Sequence, residues 1–242
     1  MARPNSILGL DTTFAACSAA VGIATPNGDG RTVCHRLEEM ATGHAERLVP
    51  MVEEVMQGAG CGFADLDAIA VTVGPGSFTG TRVGVSVARG LALATELPVL
   101  GASSLAVMAE AAFTHLDHFN PGHDELVVCV DARRDQVYVQ HFDGPGRAAL
   151  CEAKVCALDA VVSRSEAERL VIVGTAAQAV MHEMEKHNGE TGRFELGPLV
   201  FVPSAADLLN VHLLEMTPPR PLYLRPPDAK PQSGKSIPRA LS

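Results

Sequence analysis

Three stretches of the chain carry residue types that could do chemistry. Asp11-Thr12-Thr13 follows the apolar run Ile7–Leu10 and precedes a second such run. A carboxylate and hydroxyls at a strand end can hold a phosphate through water, metal and backbone N–H groups. The same residue types suit a plain strand-ending turn equally well. Gly74-Pro75-Gly76-Ser77-Phe78-Thr79-Gly80 leads into a helix start, where unpaired N–H groups favour anions. It is not a Walker A loop, because Thr81-Arg82 stand where the Lys-Ser/Thr pair would be sought, and Thr79 breaks G-x-G-x-x-G. We favour a tight strand-to-helix connection whose glycines permit close packing. His115, His118 and His123 with Asp117 and Asp124 match neither a helical His pair at i, i+4 nor a zinc-finger spacing, and read as a solvated loop between domains. No G-x-S-x-G elbow occurs. The six cysteines (Cys17, Cys34, Cys61, Cys129, Cys151, Cys156) form no C-x-x-C pair and sit in no nucleophile signature, so free thiols are expected.

The elements that must position these residues punctuate the chain clearly. Ser6–Asp11 and Ser18–Thr25 read as strands, a third runs from Arg31 to Glu38, and Asn27-Gly28-Asp29-Gly30 marks the hairpin turn. A helix follows from His44 to about Met56, then the strand Ala68–Val73, the Gly-Pro-Gly stretch, a second helix to about Thr95, and the strand Val99–Ala102. Ser103 or Ser104 can cap the next helix. After the polar segment His115–Glu125 the grammar partly repeats. Leu126–Asp131 and Gln136–Phe142 form a hairpin around Arg133-Arg134-Asp135, followed by the strand Leu170–Val173 and helices at Ala177–His187 and Ala205–Glu215. Antiparallel strands followed by alternating helix and strand describe mixed-sheet α/β units.

Composition narrows the classes. A chain of 242 residues with 47% apolar and 19% charged residues is no disordered polyelectrolyte, and its length leans towards two domains. With 19 basic against 28 acidic residues the net charge is −9, the wrong sign for a chain that grips a phosphate backbone by itself. Without Trp and with only two Tyr, it has few platforms for stacking bases. No apolar run is long enough to span a membrane and the N-terminus is unlike a signal peptide, so we expect a soluble cytoplasmic protein. The stretch 218–242 differs from the body: five Lys or Arg face Asp228 alone, a local net of +4, and seven prolines forbid long helices or central strands. It reads as an extended arm, docked at its start through Leu222, Tyr223 and Leu224 and loose after Lys230.

The two helices of the first half are unusual. At about 100° per residue the first places Ala45, Leu48, Val49, Val52, Val55 and Met56 on one face, and Met51 widens the arc to about 160°, beyond the roughly 100° stripe one sheet covers. Pro50 should kink this helix or mark its true start. In the second, only Arg82, Ser86 and Arg89 form a polar stripe, while Val83, Val85, Val87, Leu91 and Leu93 cover nearly everything else. Gly80, Gly84 and Ala88, spaced by four, let another backbone approach closely. A helix apolar on most sides needs more cover than its own sheet supplies. We therefore assign Leu48, Met51, Val52, Val55, Gly80, Val83, Gly84, Val87 and Leu91 to a partner interface.

Taken together, Ile7-Leu8-Gly9-Leu10-Asp11-Thr12-Thr13, Glu46-Arg47-Leu48-Val49-Pro50 and the stretch from Thr72 to Gly84 resemble the TsaB (formerly YeaZ) family, as do Val130-Asp131-Ala132-Arg133-Arg134, Val171-Ile172-Val173-Gly174 and Tyr223-Leu224-Arg225. The resemblance runs from about residue 5 to 231. It implies a two-lobed actin-like/sugar kinase/Hsp70 (ASKHA, RNase H-like) α/β fold, with mixed sheets flanked by helices. Residues 1–104 would form a lobe with the partner-binding helices, 105–217 a second lobe, and 218–242 the basic tail. The implied role is that of a dimerization subunit, not an enzyme on its own, in bacterial synthesis of N6-threonylcarbamoyladenosine beside the tRNA anticodon. Its implied partners are the catalytic paralogue TsaD, bound through first-lobe helices, and the ATPase TsaE; tRNA is met through the complex, and a homodimer in isolation stays open. The paralogue carries two metal-binding histidines four apart, where this chain has Ser104 and Met108, neither a good ligand for a divalent ion. No intrinsic cofactor follows, with ATP, ADP or a divalent metal confined to the assembled complex.

Other readings stay open. A free-standing ATPase or kinase would use Asp11, Thr12 and Gly174 around its nucleotide, and Asp11, Thr12, Thr13 and Gly174 are the positions for any residual phosphate contact. A metallopeptidase, an activity once ascribed to the wider family, lacks its histidine pair. A direct tRNA reader rests on the basic tail alone.

Overall fold

Strand and helix periods decide which side of each element is covered. The structure, a computed structural model, describes residues 4–25, 31–119, 122–161, 167–188, 194–198, 202–211 and 219–225. β1 (Ile7–Asp11), β2 (Ala16–Ala24), β3 (Arg31–Glu39), β4 (Ala68–Thr72) and β5 (Val99–Ala102) form one sheet in the order β3-β2-β1-β4-β5. β2 is antiparallel to both β1 and β3, whereas β4 is parallel to β1 and β5. β6 (Glu125–Asp131), β7 (Gln136–Asp143), β8 (Lys154–Ala157), β9 (Leu170–Val173) and β10 (Phe194–Leu196) form the second, in the order β10-β9-β6-β7-β8. Counted from each sheet's first strand, the order and the directions of the two sheets are the same. This repeat of one mixed-sheet unit gives the actin-like, RNase H-like α/β architecture that the resemblance implies. β8 and β10, four and three residues long, carry too little pattern to be read from sequence.

Alternation along the strands sorts side chains into layers. Leu8, Leu10, Ile69 and Val71 face outward against α1 (His44–Ala59) and α2 (Phe78–Thr95). Ile7, Ala68 and Ala70 face inward, where α3 (Ser104–Phe119) and α5 (Ala205–Leu208) fill the space up to Leu126, Val128 and Val130 of the second sheet. Val127 and Cys129 face the far side, covered by α4 (Ala177–Asn188). Sheets buried on both faces need continuous apolar strands, as β1, β4 and β9 are.

Three expectations need correction. Pro50 lies inside α1, which runs through it from His44, so it does not mark the start of the helix. The loop expected at His115–Glu125 begins as helix, because α3 continues to Phe119; Ser103 caps it, its Oγ accepting from Ala106 N at 3.0 Å. α5, assigned by sequence to the second lobe, lies on the first, with Ala205 N donating to Ser18 Oγ at 3.0 Å, because the inner face of β1 and β2 needs cover. The hairpin turn at 27–30, residues 212–215 of the last expected helix and the tail beyond 225 lie outside the described residues. Among the described residues no helix is long and apolar enough to cross a membrane.

Candidate functional site

The exposed side of α2, with the start of α1 beside it, is the surface that looks unfinished. Leu48, Met51, Val52 and Val55, assigned above to a partner, are 0–2% exposed and pack within the outer core. They cannot reach a second chain. The wide apolar arc of α1 is consumed by the sheet on one side and α2 on another, so its width measures internal cover. Arg47 ties α1 to β3, donating from Nε to Glu38 at 2.7 Å and from Nη1 to Glu54 at 2.8 Å. These hydrogen bonds hold both carboxyls below the usual glutamate range.

Gly80 and Gly84 also turn inward. A Cβ on Gly80 would stand 2.0 Å from the Thr12 carbonyl oxygen, and one on Gly84 would stand 2.7 Å from Thr12 Oγ1. The small-residue ridge therefore seats α2 on its own β1–β2 loop, and Thr12 Oγ1 donates to the Gly80 carbonyl at 2.7 Å. Val83, Val87 and Leu91 stay half-buried at the surface. Around them Val49 is 43%, Phe78 44% and Leu93 86% exposed. An open groove of about 370 Å³ runs between α1 and α2, lined by Ala45, Phe78, Arg82, Val83, Ser86 and Val87.

The C-terminal arm closes one end of this surface. Leu222 N donates to the Val73 carbonyl at 2.7 Å, and Arg225 donates to the Ala132 carbonyl in the second lobe. Tyr223 lies between these anchors, its ring centroid 5.2 Å from that of Phe78. The Arg82 guanidinium lies 3.6 Å over the Phe78 ring, and its Nε donates to Tyr223 Oη at 2.7 Å. The docking of the arm through Leu222 and Tyr223 matches the sequence reading. The Phe78–Arg82–Tyr223 cluster was not legible, because Arg82 and Tyr223 stand 141 residues apart with no pattern linking them.

The other candidate residues form a sealed structural knot. Asp11, Thr12 and Thr13 are all buried. Thr13 donates to Asp11 from its N at 3.2 Å and from Oγ1 at 2.8 Å, and Ser77 N donates to the Thr13 carbonyl at 2.6 Å. Burial pushes the Asp11 carboxyl up to about 6, against the opposing hydrogen bonds from Thr13. The Gly-Pro-Gly stretch is laid tightly over this knot, since a Cβ on Gly76 would stand 2.3 Å from the Thr13 carbonyl. A phosphate therefore has no open path to these three side chains, which corrects their assignment as phosphate contacts. Gly174, the fourth, belongs to the turn after β9; its φ is +103° and a Cβ would stand 2.2 Å from the Cys129 carbonyl. Both facts explain glycine there without a ligand. His123 is buried, stacked on Phe113 at 5.7 Å, and burial lowers its pKa, so it is a core residue and not part of a solvated loop. Among the described residues no three His, Cys, Asp or Glu side chains cluster as metal ligands.

Comparison with known proteins fits this arrangement. Residues 38–148 match the family model described as TsaD, tRNA N6-adenosine threonylcarbamoyltransferase. The chain is 38% identical over 132 residues to the Escherichia coli tRNA threonylcarbamoyladenosine biosynthesis protein TsaB, a match spanning 54% of this chain and about half (52%) of that protein. It is 29% identical to the Haemophilus influenzae TsaB over 91% of this chain and 93% of the relative. The structure of YeaZ from Pseudomonas aeruginosa superposes with a TM-score of 0.68 at 30% identity, covering 86% of this chain and 90% of that one. The chain belongs to the TsaB/YeaZ family. Within this TsaB/YeaZ chain, the two positions where the resemblance puts the paralogue's histidines are both fully buried. Ser104 Oγ donates to the Pro75 carbonyl at 2.5 Å and Met108 packs in the inner core, so both serve the fold.

Proposed function

We propose that the chain is a non-catalytic subunit that binds a TsaD-type paralogue through the exposed side of α2 and the groove beside α1. Through that complex it supports transfer of a threonylcarbamoyl group to the tRNA adenosine beside the anticodon. The carrying observation is the apolar surface of Val49, Phe78, Val83, Val87, Leu91 and Leu93 around an open groove, the kind of patch that marks an interface. Relatives named for tRNA threonylcarbamoyladenosine biosynthesis support a place in that modification. The buried Ser104 and Met108 support a subunit that leaves the chemistry to its partner. TsaE would join the complex, and any nucleotide or metal would be held there.

Co-expression with the paralogue, followed by mass measurement on a sizing column, tests this reading. A 1:1 heterodimer is expected, lost in Val87→Glu and weakened in Leu93→Glu, with the melting temperature of Leu93→Glu unchanged because the side chain is already in water. A chain that stays apart from the paralogue and turns over substrate unaided would overturn it. Micromolar binding of ATP with magnesium by the lone chain would favour the kinase-like alternative.

A further inference from the structure

Arg82 is held in a way that ordinary surface arginines are not. Its guanidinium is stacked 3.6 Å over the Phe78 ring, its Nε is committed to Tyr223 Oη at 2.7 Å, and the Tyr223 ring stands 5.7 Å away on another side. Among the described residues its two terminal nitrogens have no partner. Tyr223 is itself held in place by the flanking anchors of the arm, Leu222 to Val73 and Arg225 to Ala132. An arginine fixed by stacking and one hydrogen bond keeps its outer N–H edge oriented at little further entropic cost, the geometry that matches a carboxylate bidentately. Arg82 lines the groove together with Val83 and Val87.

We infer that Arg82 is the polar anchor of the partner interface, and that the segment seated in the groove is an apolar helix carrying a carboxylate that pairs with it. This deepens the proposed function and rests on it. The charge pattern of α2 disfavours a second copy meeting it helix α2 against helix α2. α2 contains Arg82 and Arg89 on one stripe and no acidic residue, so two copies meeting α2 against α2 would oppose arginines. A partner helix with an acidic residue turns the same stripe from repulsive to attractive. Tyr223 is then a positioning residue that sets the Arg82 orientation from the far end of the chain.

Calorimetric titration of the chain with the TsaD paralogue, at low and at 300 mM salt, tests the inference. Arg82→Gln should weaken binding at least about 10-fold and flatten its salt dependence, as removing one partner of an oriented charge pair does. Arg82→Lys should recover only a small part, because an ammonium neither forks nor stacks. Tyr223→Phe, which keeps the ring and drops the hydroxyl, should cost about 3-fold to 10-fold. Binding of Arg82→Gln within 2-fold of wild type, with Val87→Glu still abolishing it, would overturn the anchor and leave the groove standing. If Val87→Glu also binds normally, the groove reading falls with it. Titration of the lone chain with inorganic phosphate separates the anion source: millimolar binding lost in Arg82→Gln would assign the site to phosphate and overturn the carboxylate. A homodimer of the lone chain that dissociates in Arg82→Gln would equally overturn the choice of a different partner.

Discussion

Replacing Gly80 and Gly90 by alanine, in the same helix, should move stability in opposite directions. A Cβ on Gly80 would meet the Thr12 carbonyl oxygen at 2.0 Å, where ordinary contact begins at 3.4 Å. Helix and loop must separate by about 1.4 Å, since the obstacle is backbone and cannot rotate away. That shift stretches the Thr12 Oγ1 to Gly80 bond and loosens Val85 and Ala88 from the outer core. Overpacking costs about 1–3 kcal/mol and the hydrogen bond adds about 1, while the better helix propensity of alanine returns about 1. The net is a loss of about 1–3 kcal/mol, or roughly 2–12 °C in melting temperature at about 2–4 °C per kcal/mol for a chain of this size. Gly90 has nothing within 4 Å of a Cβ, so Gly90→Ala should gain about 0.5–1 kcal/mol. Thermal and urea melts of both variants in one buffer make the comparison. If Gly80→Ala melts at or above wild type, α2 does not rest on Thr12 as described, and the inward assignment of its glycine ridge is wrong.

The buried Asp11 makes a second expectation. Its folded pKa of about 6 exceeds the ordinary value of 3.8, so the native state binds the extra proton. The stabilisation is fully present below about pH 4 and is lost as pH rises through 6, about 3 kcal/mol in all at roughly 1.4 kcal/mol per pH unit. Asp11→Asn should thus gain on wild type between pH 4 and 7.5 in urea melts, and a constant difference would refute the buried-acid account. Burial pushes the Cys17 thiol up to about 11 and raises that of Cys129 further. Both should resist iodoacetamide at pH 7.5 in the folded protein and react on unfolding, as peptide mass spectrometry would reveal; rapid labelling of native Cys17 would contradict its packing. Loss of the paralogue in Val87→Glu with the fold intact is the fourth expectation, and a far-UV melt alongside the binding assay separates it from misfolding.

Much of the architecture is legible in the sequence. The apolar runs of β1, β4 and β6 and the periodic faces of α1 and α2 stand in the sequence, and the family follows from motifs whose order the fold preserves. Asp11-Thr12-Thr13 and the Gly-Pro-Gly stretch were correctly placed at a strand end and a helix start. Their role was not legible, because an anion site and a sealed turn use the same residue types. Periodicity shows that a helix face is apolar, but not what covers it. Leu48, Met51, Val52 and Val55 are covered by the chain itself, whereas Val83, Val87 and Leu91 are only half covered.

The sequence by itself determined which residues alternate, which helices need cover and which motifs recur in order, since those are local properties of the chain. Only the tertiary structure decided the direction of the Gly80–Gly84 ridge, the closing of the Asp11 knot and the meeting of Tyr223 with Arg82. Each of these depends on two segments far apart in sequence sharing one space, and burial is set by what arrives there from elsewhere.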